Sequence, residues 1–95
     1  MNQPSVSVVI PAYNAQSTIV RALQSVADQT FQATEVIVVD DASTDNTIET
    51  VSEYSKNSNI AVRLLLSDRN AGPGSARNRG WDSSNCDYIA FLDAD

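Results

Sequence analysis

Paired carboxylates stand at two places where an apolar run of residues ends. Asp40 and Asp41 form the first pair, and Asp93 and Asp95 form the second. Two ionised carboxylates at such spacing repel each other unless a cation, water or hydrogen-bond donors offset the repulsion. The chain has no histidine, which excludes histidine-bound zinc and nucleophilic systems that use a histidine base. Any metal held here would therefore be a hard cation with oxygen ligands: Mg²⁺, Mn²⁺ or Ca²⁺.

The charge balance narrows the choice of ligand. The chain carries 12 acidic and 6 basic residues, a net charge of -6. This balance argues against a nucleic-acid partner, because such a partner requires a basic face. A phosphorylated small molecule remains compatible, provided that a divalent cation bridges the protein's acids and the phosphates.

Length and composition indicate one soluble domain. The 95 residues are 42% hydrophobic, which is enough for a core, and no apolar run approaches the roughly 20 residues that span a bilayer. The first residues lack the basic and apolar regions of a signal peptide. The single cysteine, Cys86, excludes an internal disulfide and fits a reducing compartment. We therefore expect a cytoplasmic protein, with the inner face of the membrane as the alternative location for a longer parent protein.

The hydrophobic pattern alternates between strands and helices. Near-continuous apolar strands predict a parallel sheet that is covered on both faces. We therefore expect an α/β fold with three layers, α/β/α, around a mostly parallel four-stranded sheet in the order β-α-β-α-β-α-β. Pro11 is expected to end the first strand, and Ser17 and Asp45 to cap the first two helices. The predicted strands are residues 5–10, 35–39, 60–66 and 88–92, and the predicted helices are residues 17–29, 45–57 and 73–83.

Acidic residues concentrate where the predicted strands end. Right-handed crossovers bring the carboxyl ends of all parallel strands to one edge, and ligands of open α/β sheets bind outside that edge. Five of the 12 acids fall there, whereas charges that only solubilise a surface would be spread over the helices. The sequence thus predicts a ligand site at this edge, with acids Asp40, Asp41, Asp68, Asp93 and Asp95.

Four motifs at this edge carry a specific resemblance. They are Val-Val-Ile-Pro-Ala-Tyr-Asn (8–14), Val-Ile-Val-Val-Asp-Asp-Ala-Ser-Thr-Asp (36–45), Asn-Ala-Gly-Pro-Gly-Ser-Ala-Arg-Asn (70–78) and Phe-Leu-Asp-Ala-Asp (91–95). In this order and spacing they resemble the N-terminal nucleotide-binding half of family 2 glycosyltransferases, which have the GT-A fold with a Rossmann-like half. The resemblance covers essentially the whole chain.

The resemblance implies roles for individual residues. Tyr13 would lie against the nucleotide base, and Asp41 would accept a hydrogen bond from N3–H of a uracil. Asp40 would contact the donor or orient its loop, and Arg77 would pair with the diphosphate or hold the acidic cluster. The alternatives are a loop anchor for Tyr13, helix capping for Asp41 and a solvated helix charge for Arg77. The implied donor-binding residues are Pro11, Ala12, Tyr13, Asn14, Asp40, Asp41, Arg77 and Asp93.

The final motif matches the Asp-x-Asp sequence of the family. The resemblance implies that Asp95 binds Mn²⁺ or Mg²⁺ directly and that Asp93 acts through water or the ribose, with the ion stabilising the leaving nucleoside diphosphate. The implied reaction transfers a sugar from a UDP-sugar to a hydroxyl of a saccharide or lipid-linked acceptor, with inversion. The general base of the family lies downstream of this motif. We therefore expect residues 1–95 to be an N-terminal donor-binding part, incomplete at its C-terminus, that binds donor weakly and does not turn over.

Two other classes of protein share some of these features. Response-regulator-like and other Mg-dependent phosphoryl-transfer domains also gather Asp residues at a carboxyl edge, but their acidic pair usually follows the first strand, where this chain has Pro-Ala-Tyr-Asn. A non-catalytic nucleotide-binding or self-associating module is the other alternative. The last strand would have an unpaired outer edge, which predicts a homo-oligomer through that edge.

Overall fold

Seven helices and strands alternate along the chain in a computed structural model that describes residues 4–29 and 33–94. The predicted order of elements is confirmed. None of the described helices is long and apolar enough to cross a membrane. The elements are β1 (Val6–Ala12), α1 (Ile19–Ala27), β2 (Glu35–Asp40), α2 (Thr47–Lys56), β3 (Val62–Leu66), α3 (Pro73–Ser83) and β4 (Tyr88–Phe91).

The four strands form one parallel sheet in the order β3-β2-β1-β4. This order is the one found in Rossmann-type sheets, whereas response regulators have the order 2-1-3-4-5. The strand order therefore argues against the response-regulator alternative. The order reverses between β1 and β4, so the carboxyl ends of these two strands flank the switch point of the sheet.

Alternate residues of the two central strands supply two separate cores. On one face Val8, Ile10, Val36 and Val38 pack with Ile19 and Leu23 of α1 and Val51 of α2. On the other face Val9, Ile37 and Val39 pack with Ala76 of α3. This alternation follows from the twofold period of a strand, and it confirms the three-layer α/β/α architecture.

The outer strands are less buried than the sequence predicts. Tyr88 and Phe91 of β4 are 61% and 43% exposed, and Trp81 of α3 is 57% exposed. The Trp81 and Phe91 rings stack with their centroids 6.3 Å apart and their planes 14° apart. Within the described residues β4 pairs with β1 alone and stands at an edge of the sheet, which leaves these side chains exposed.

Pro11 does not end β1, which continues to Ala12. The N–H of Asp41 donates to the carbonyl of Ala12, so pairing with β2 extends beyond Pro11. The pairing with β4 stops where Phe91 faces Val9. Alternate backbone groups of a parallel strand point to opposite neighbours, so the missing N–H of Pro11 falls on the β4 side. Pro11 thus lacks a donor on the β4 side only and does not interrupt the pairing of β1 with β2.

The predicted N-caps of two helices are corrected by one position each. Helix α1 has Thr18 rather than Ser17 at its N-cap, and Thr18 makes no side-chain capping bond. Helix α2 has Asn46 at its N-cap. Asp45 precedes the cap, and its carboxylate accepts the N–H of Thr47 at 3.0 Å. Asp45 is therefore not the N-cap of α2; its side chain forms an Asx turn just before the helix.

The close approach of α3 to the sheet depends on Gly80. A Cβ built on Gly80 would overlap the side chain of Val9, whereas one on Gly74 in the same helix would meet nothing within 4 Å. We expect Gly80→Ala to lower the free energy of unfolding by about 1–2 kcal/mol, because overpacking outweighs the gain in helix propensity. Urea denaturation of the 95-residue chain measures the change.

Gly74→Ala is the matched control and should not destabilise the chain. Adding Val9→Ala to Gly80→Ala should give a smaller loss than the sum of the two single losses, because the smaller side chain makes room. Equal free energies of unfolding for Gly80→Ala and Gly74→Ala would contradict the close contact between Gly80 and Val9.

Candidate functional site

A cleft opens at the carboxyl edge of the sheet, between the ends of β1 and β4. Its volume is about 260 Å³. It lies where the strand order reverses, which is the usual ligand position in open α/β sheets. The cleft is lined by Pro11, Tyr13, Asn14, Ala15, Ser17, Thr18, Asp93 and Ala94.

Tyr13 and Asp93 share this cleft although 80 residues separate them in the sequence. Tyr13 follows β1 directly and is 49% exposed, so a ring face is available to a ligand. Asp93 follows β4 and is exposed. Within the described residues its carboxylate makes no ion pair. An aromatic face and an open carboxylate therefore stand together at the edge.

Ala12 is predicted as a donor-binding residue, but its side chain lies in the core. It is 2% exposed and packs with the cluster on the α1 side of the sheet. Its carbonyl accepts the N–H of Asp41 at 2.8 Å. Ala12 does not line the cleft, so the structure gives it the role of joining β1 to the loop after β2.

Asp40 is fully buried and organises the loop that follows β2. Its carboxylate accepts the N–H of Ser43 at 2.9 Å and the hydroxyl of Ser43 at 2.6 Å. A buried carboxylate needs such donors, because an unpaired one costs several kcal/mol. Two roles are implied for Asp40, contact with the donor and orientation of its loop. These hydrogen bonds agree with the second role.

Asn14 connects the loop after β1 to the loop after β2. Its side-chain oxygen accepts the N–H of Thr44 at 2.8 Å and that of Asp45 at 3.3 Å, and its own N–H donates to the hydroxyl of Ser43 at 2.9 Å. Its φ is 48°, a conformation that asparagine tolerates better than most residues. Asn14 therefore holds the two loops together next to Tyr13.

Thr47 is a structural residue of this edge that the sequence analysis missed. It is fully buried; its hydroxyl donates to Asp45 and accepts the N–H of Ala15 at 2.9 Å. The hydroxyl of Thr47 is the main reason that the pKa of Asp45 lies below its ordinary value, with the N–H groups of Thr47 and Gln16 adding to it against the effect of desolvation. The pattern Asp-x-Thr before a helix was the available signal.

The carboxylate of Asp41 faces the turn between β3 and α3. Asp41 is 4% exposed, and its two oxygens accept the N–H of Ala71 at 3.0 Å and that of Gly72 at 2.8 Å. A carboxylate has about four acceptor positions, so these bonds leave capacity for a further donor. Asp41 does not line the cleft that contains Tyr13 and Asp93.

The two arginines of α3 differ in their contacts. Arg79 donates to the carbonyl of Leu66 at 2.9 Å and to the hydroxyl of Ser67 at 2.8 Å, which anchors the helix to the end of β3. Arg77 is half-buried and makes no ion pair within the described residues. Arg77 does not line the cleft either, so the structure does not bring it together with Tyr13 and Asp93.

The described residues fit a divalent cation in part. Asp93 offers carboxylate oxygens of the kind that Mg²⁺ and Mn²⁺ prefer. The predicted direct ligand, Asp95, lies outside the described residues. No group of three or more Cys, Asp or Glu residues within the ranges 4–29 and 33–94 is arranged to hold a metal. Asp93 alone therefore represents the predicted metal site in the described structure.

A larger groove, about 910 Å³, runs between α1 and α2. Its lining includes Val20, Gln24, Glu49, Glu53 and Tyr54. It lies away from the switch point and contains none of the edge carboxylates. We favour the smaller cleft as the site because it lies at the carboxyl edge where the strand order reverses, which is the usual ligand position in open α/β sheets, whereas the groove lies between two helices.

The fold and the cleft define a Rossmann-type α/β protein with a candidate ligand site at its switch point. Residues 7–95 match the sequence profile described as "Glycosyl transferase family 2". The chain therefore belongs to this family, which confirms the resemblance carried by the four motifs.

Curated relatives match the chain along its length. It is 41% identical over 96 residues to the amylovoran biosynthesis glycosyltransferase AmsB of Erwinia amylovora, covering 100% of this chain and 32% of that protein. It is 45% identical over 92 residues to the succinoglycan biosynthesis protein ExoO of Rhizobium meliloti, covering 97% and 26%. The chain thus spans about a third or less of the length of these two relatives.

Solved structures agree in fold. The crystal structure of residues 1–349 of S. aureus TarS in complex with UDP-GlcNAc matches with a TM-score of 0.86 at 35% identity, covering 96% of this chain and 26% of that one. The mannosyltransferase PcManGT of Pyrobaculum calidifontis, in complex with GDP-Man and Mn²⁺, matches with a TM-score of 0.91 at 29% identity, covering 99% and 28%. Both structures contain a nucleotide-sugar, and one contains a divalent metal.

Proposed function

We propose that this chain is the donor-nucleotide-binding part of a glycosyltransferase that transfers a sugar from a nucleotide-sugar to an acceptor hydroxyl. The observation that carries the proposal is the cleft at the switch point, where Tyr13 and Asp93 meet at the carboxyl ends of β1 and β4. The nucleotide-sugars bound by TarS and PcManGT support the class of ligand.

The proposed donor is a UDP-sugar. Tyr13 would stack on the base, since its ring is half-exposed at the cleft. Asp41 would accept the N3–H of the uracil with the acceptor capacity that its two backbone bonds leave free. Arg77 would reach the diphosphate. The UDP-GlcNAc complex of TarS supports a uracil donor, and the GDP-Man complex of PcManGT makes guanine the competing base.

A divalent cation, Mn²⁺ or Mg²⁺, is the proposed cofactor. A net charge of -6 would otherwise repel a diphosphate. Asp93 and Asp95 would hold the ion, which supplies charge stabilisation for the leaving nucleoside diphosphate when bound. The Mn²⁺ in the PcManGT complex supports this proposal.

The complete reaction needs more than these residues. We place the general base and the elements that bind a saccharide or lipid-linked acceptor outside the 95 residues, which span only a fraction of the relatives. A base there would deprotonate the acceptor hydroxyl for an inverting displacement at the sugar. We therefore propose that this chain by itself binds donor weakly and transfers no sugar. A cytoplasmic location belongs to the same proposal.

Tyr13→Ala tests the stacking role. The substitution should weaken UDP binding by about 1–3 kcal/mol, because a base loses its aromatic platform. Isothermal titration in the presence of Mn²⁺ measures the change, and Tyr13→Phe should retain the affinity. Tyr88→Ala is the matched control, since Tyr88 is exposed and pairs with Val6 at the opposite end of β1. Unchanged affinity in Tyr13→Ala would refute the assignment.

Asp93→Asn tests the metal role. We expect the variant to lose most of the difference between UDP affinities measured with and without Mn²⁺, because a neutral amide is a poorer ligand for a hard cation. Asp82→Asn, an exposed acid on α3, changes the net charge equally and should leave that difference intact. If Mn²⁺ raises the UDP affinity of Asp93→Asn as much as that of the unsubstituted chain, Asp93 is not a metal ligand.

We also propose that the chain self-associates through β4. Its outer edge is unpaired within the described residues, and Tyr88, Phe91 and Trp81 expose aromatic surface beside it. Such an edge is a template for pairing with another strand. Light scattering at increasing concentration should give a mass above 10.2 kDa, and a constant monomer mass would contradict the proposal.

A further inference from the structure

Asp41 connects the carboxyl ends of three strands. Its N–H donates to Ala12 at the end of β1, and its carboxylate accepts the N–H groups of Ala71 and Gly72, which follow β3. Hydrogen bonds from backbone N–H groups to an ionised acceptor are among the strong ones. One side chain at the end of β2 thus fixes a turn that is 30 residues away in the sequence.

The turn that Asp41 fixes has a conformation restricted to glycine. Gly72 has φ 94° and ψ 163°, a region that other residues occupy only under strain. Apart from the glycine and its two chain neighbours, no atom lies within 4 Å of a Cβ built there, so the requirement comes from the backbone conformation and not from packing against other residues. The carbonyl of Gly72 accepts the N–H of Ala76 at 3.1 Å. The turn therefore sets where α3 begins and how it leaves the edge.

We propose that Asp41 is a positioning residue of the donor site, which acts through the Ala71–Gly72 turn. The inference rests on the proposed function. Before a nucleotide binds, the carboxylate holds the turn and thereby the first turns of α3, including Arg77. Removing the carboxylate then weakens binding of any nucleoside diphosphate. A residue that only reads the base would instead affect nucleotides according to their base.

Hydrogen exchange of the ligand-free chain tests the hold on the turn. In Asp41→Asn one hydrogen bond must be lost, because the amide nitrogen cannot accept an N–H. The amides of Ala71 and Gly72 should exchange about 10- to 100-fold faster relative to core amides of β2, as expected for loss of a bond to a charged group. Asp68→Asn, an exposed acid of the same connection, is the control. Unchanged relative exchange at both amides would overturn the proposal.

Gly72→Ala disturbs the turn and leaves the carboxylate in place. Gly74→Ala is its matched control, because a Cβ at either glycine meets nothing and Gly74 has no positive φ. This pair also keeps the proposal testable if Asp41→Asn does not fold. Gly72→Ala should weaken UDP binding about tenfold, in line with the cost of placing a side chain in this region, and Gly74→Ala should not. Full affinity in Gly72→Ala would overturn the proposal.

Base preference separates positioning from base reading. Uracil donates from N3, whereas N3 of cytosine accepts. Positioning predicts that Asp41→Asn weakens binding of CDP as well as binding of UDP, because the turn is disturbed whichever base is present; the proposed hydrogen bond to N3–H of uracil adds a loss for UDP only. Loss for UDP together with unchanged or higher affinity for CDP would overturn the proposal. If the unsubstituted chain binds neither nucleotide with Mn²⁺, the proposed function fails, while the exchange data still decide whether Asp41 holds the turn.

Discussion

Two buried carboxylates at the end of the central strand β2 determine how the carboxyl edge is built. Asp40 and Asp41 are 0% and 4% exposed. Burying an ionised carboxylate without partners costs several kcal/mol, so donors must come to them. The donors are Ser43 for Asp40, and Ala71 and Gly72 for Asp41. All three donor residues lie on loops, and their hydrogen bonds to the two carboxylates hold these loops in place. No buried side-chain polar atom in the described residues is left without a partner.

This arrangement divides the acidic residues of the edge into two groups. The inner pair is committed to backbone and hydroxyl donors and gives the edge its shape. Asp93 stands outside that network, exposed at the cleft beside Tyr13. Asn14 joins the loop of Tyr13 to the loop of Ser43 through hydrogen bonds. These bonds hold the backbone beside Tyr13 in place. The structure thus separates the buried acids that shape the edge from the acid that stands exposed at the cleft.

The sequence predicts the fold well because the strands carry strong local signals. The runs at 36–39 and 6–10 are apolar enough to identify buried parallel strands, and crossover handedness then places their ends at one edge. Local signals do not predict the far partner of a side chain. They could not reveal that Asp41 binds a turn 30 residues later, or that the missing N–H of Pro11 faces only β4. The exposure of the β4 side chains likewise depends on which parts of the fold pack against them, which the composition of the strand does not encode.

The central claim is that a nucleoside diphosphate binds at the carboxyl edge. The most direct measurement is a titration of the ¹⁵N-labelled chain with UDP and Mg²⁺, followed by amide chemical shifts. The account predicts that the changes concentrate in residues 11–18, 40–45, 70–77 and 92–95. Changes centred on the groove between α1 and α2, at Gln24, Glu53 and Tyr54, or no changes at saturating UDP, would contradict it.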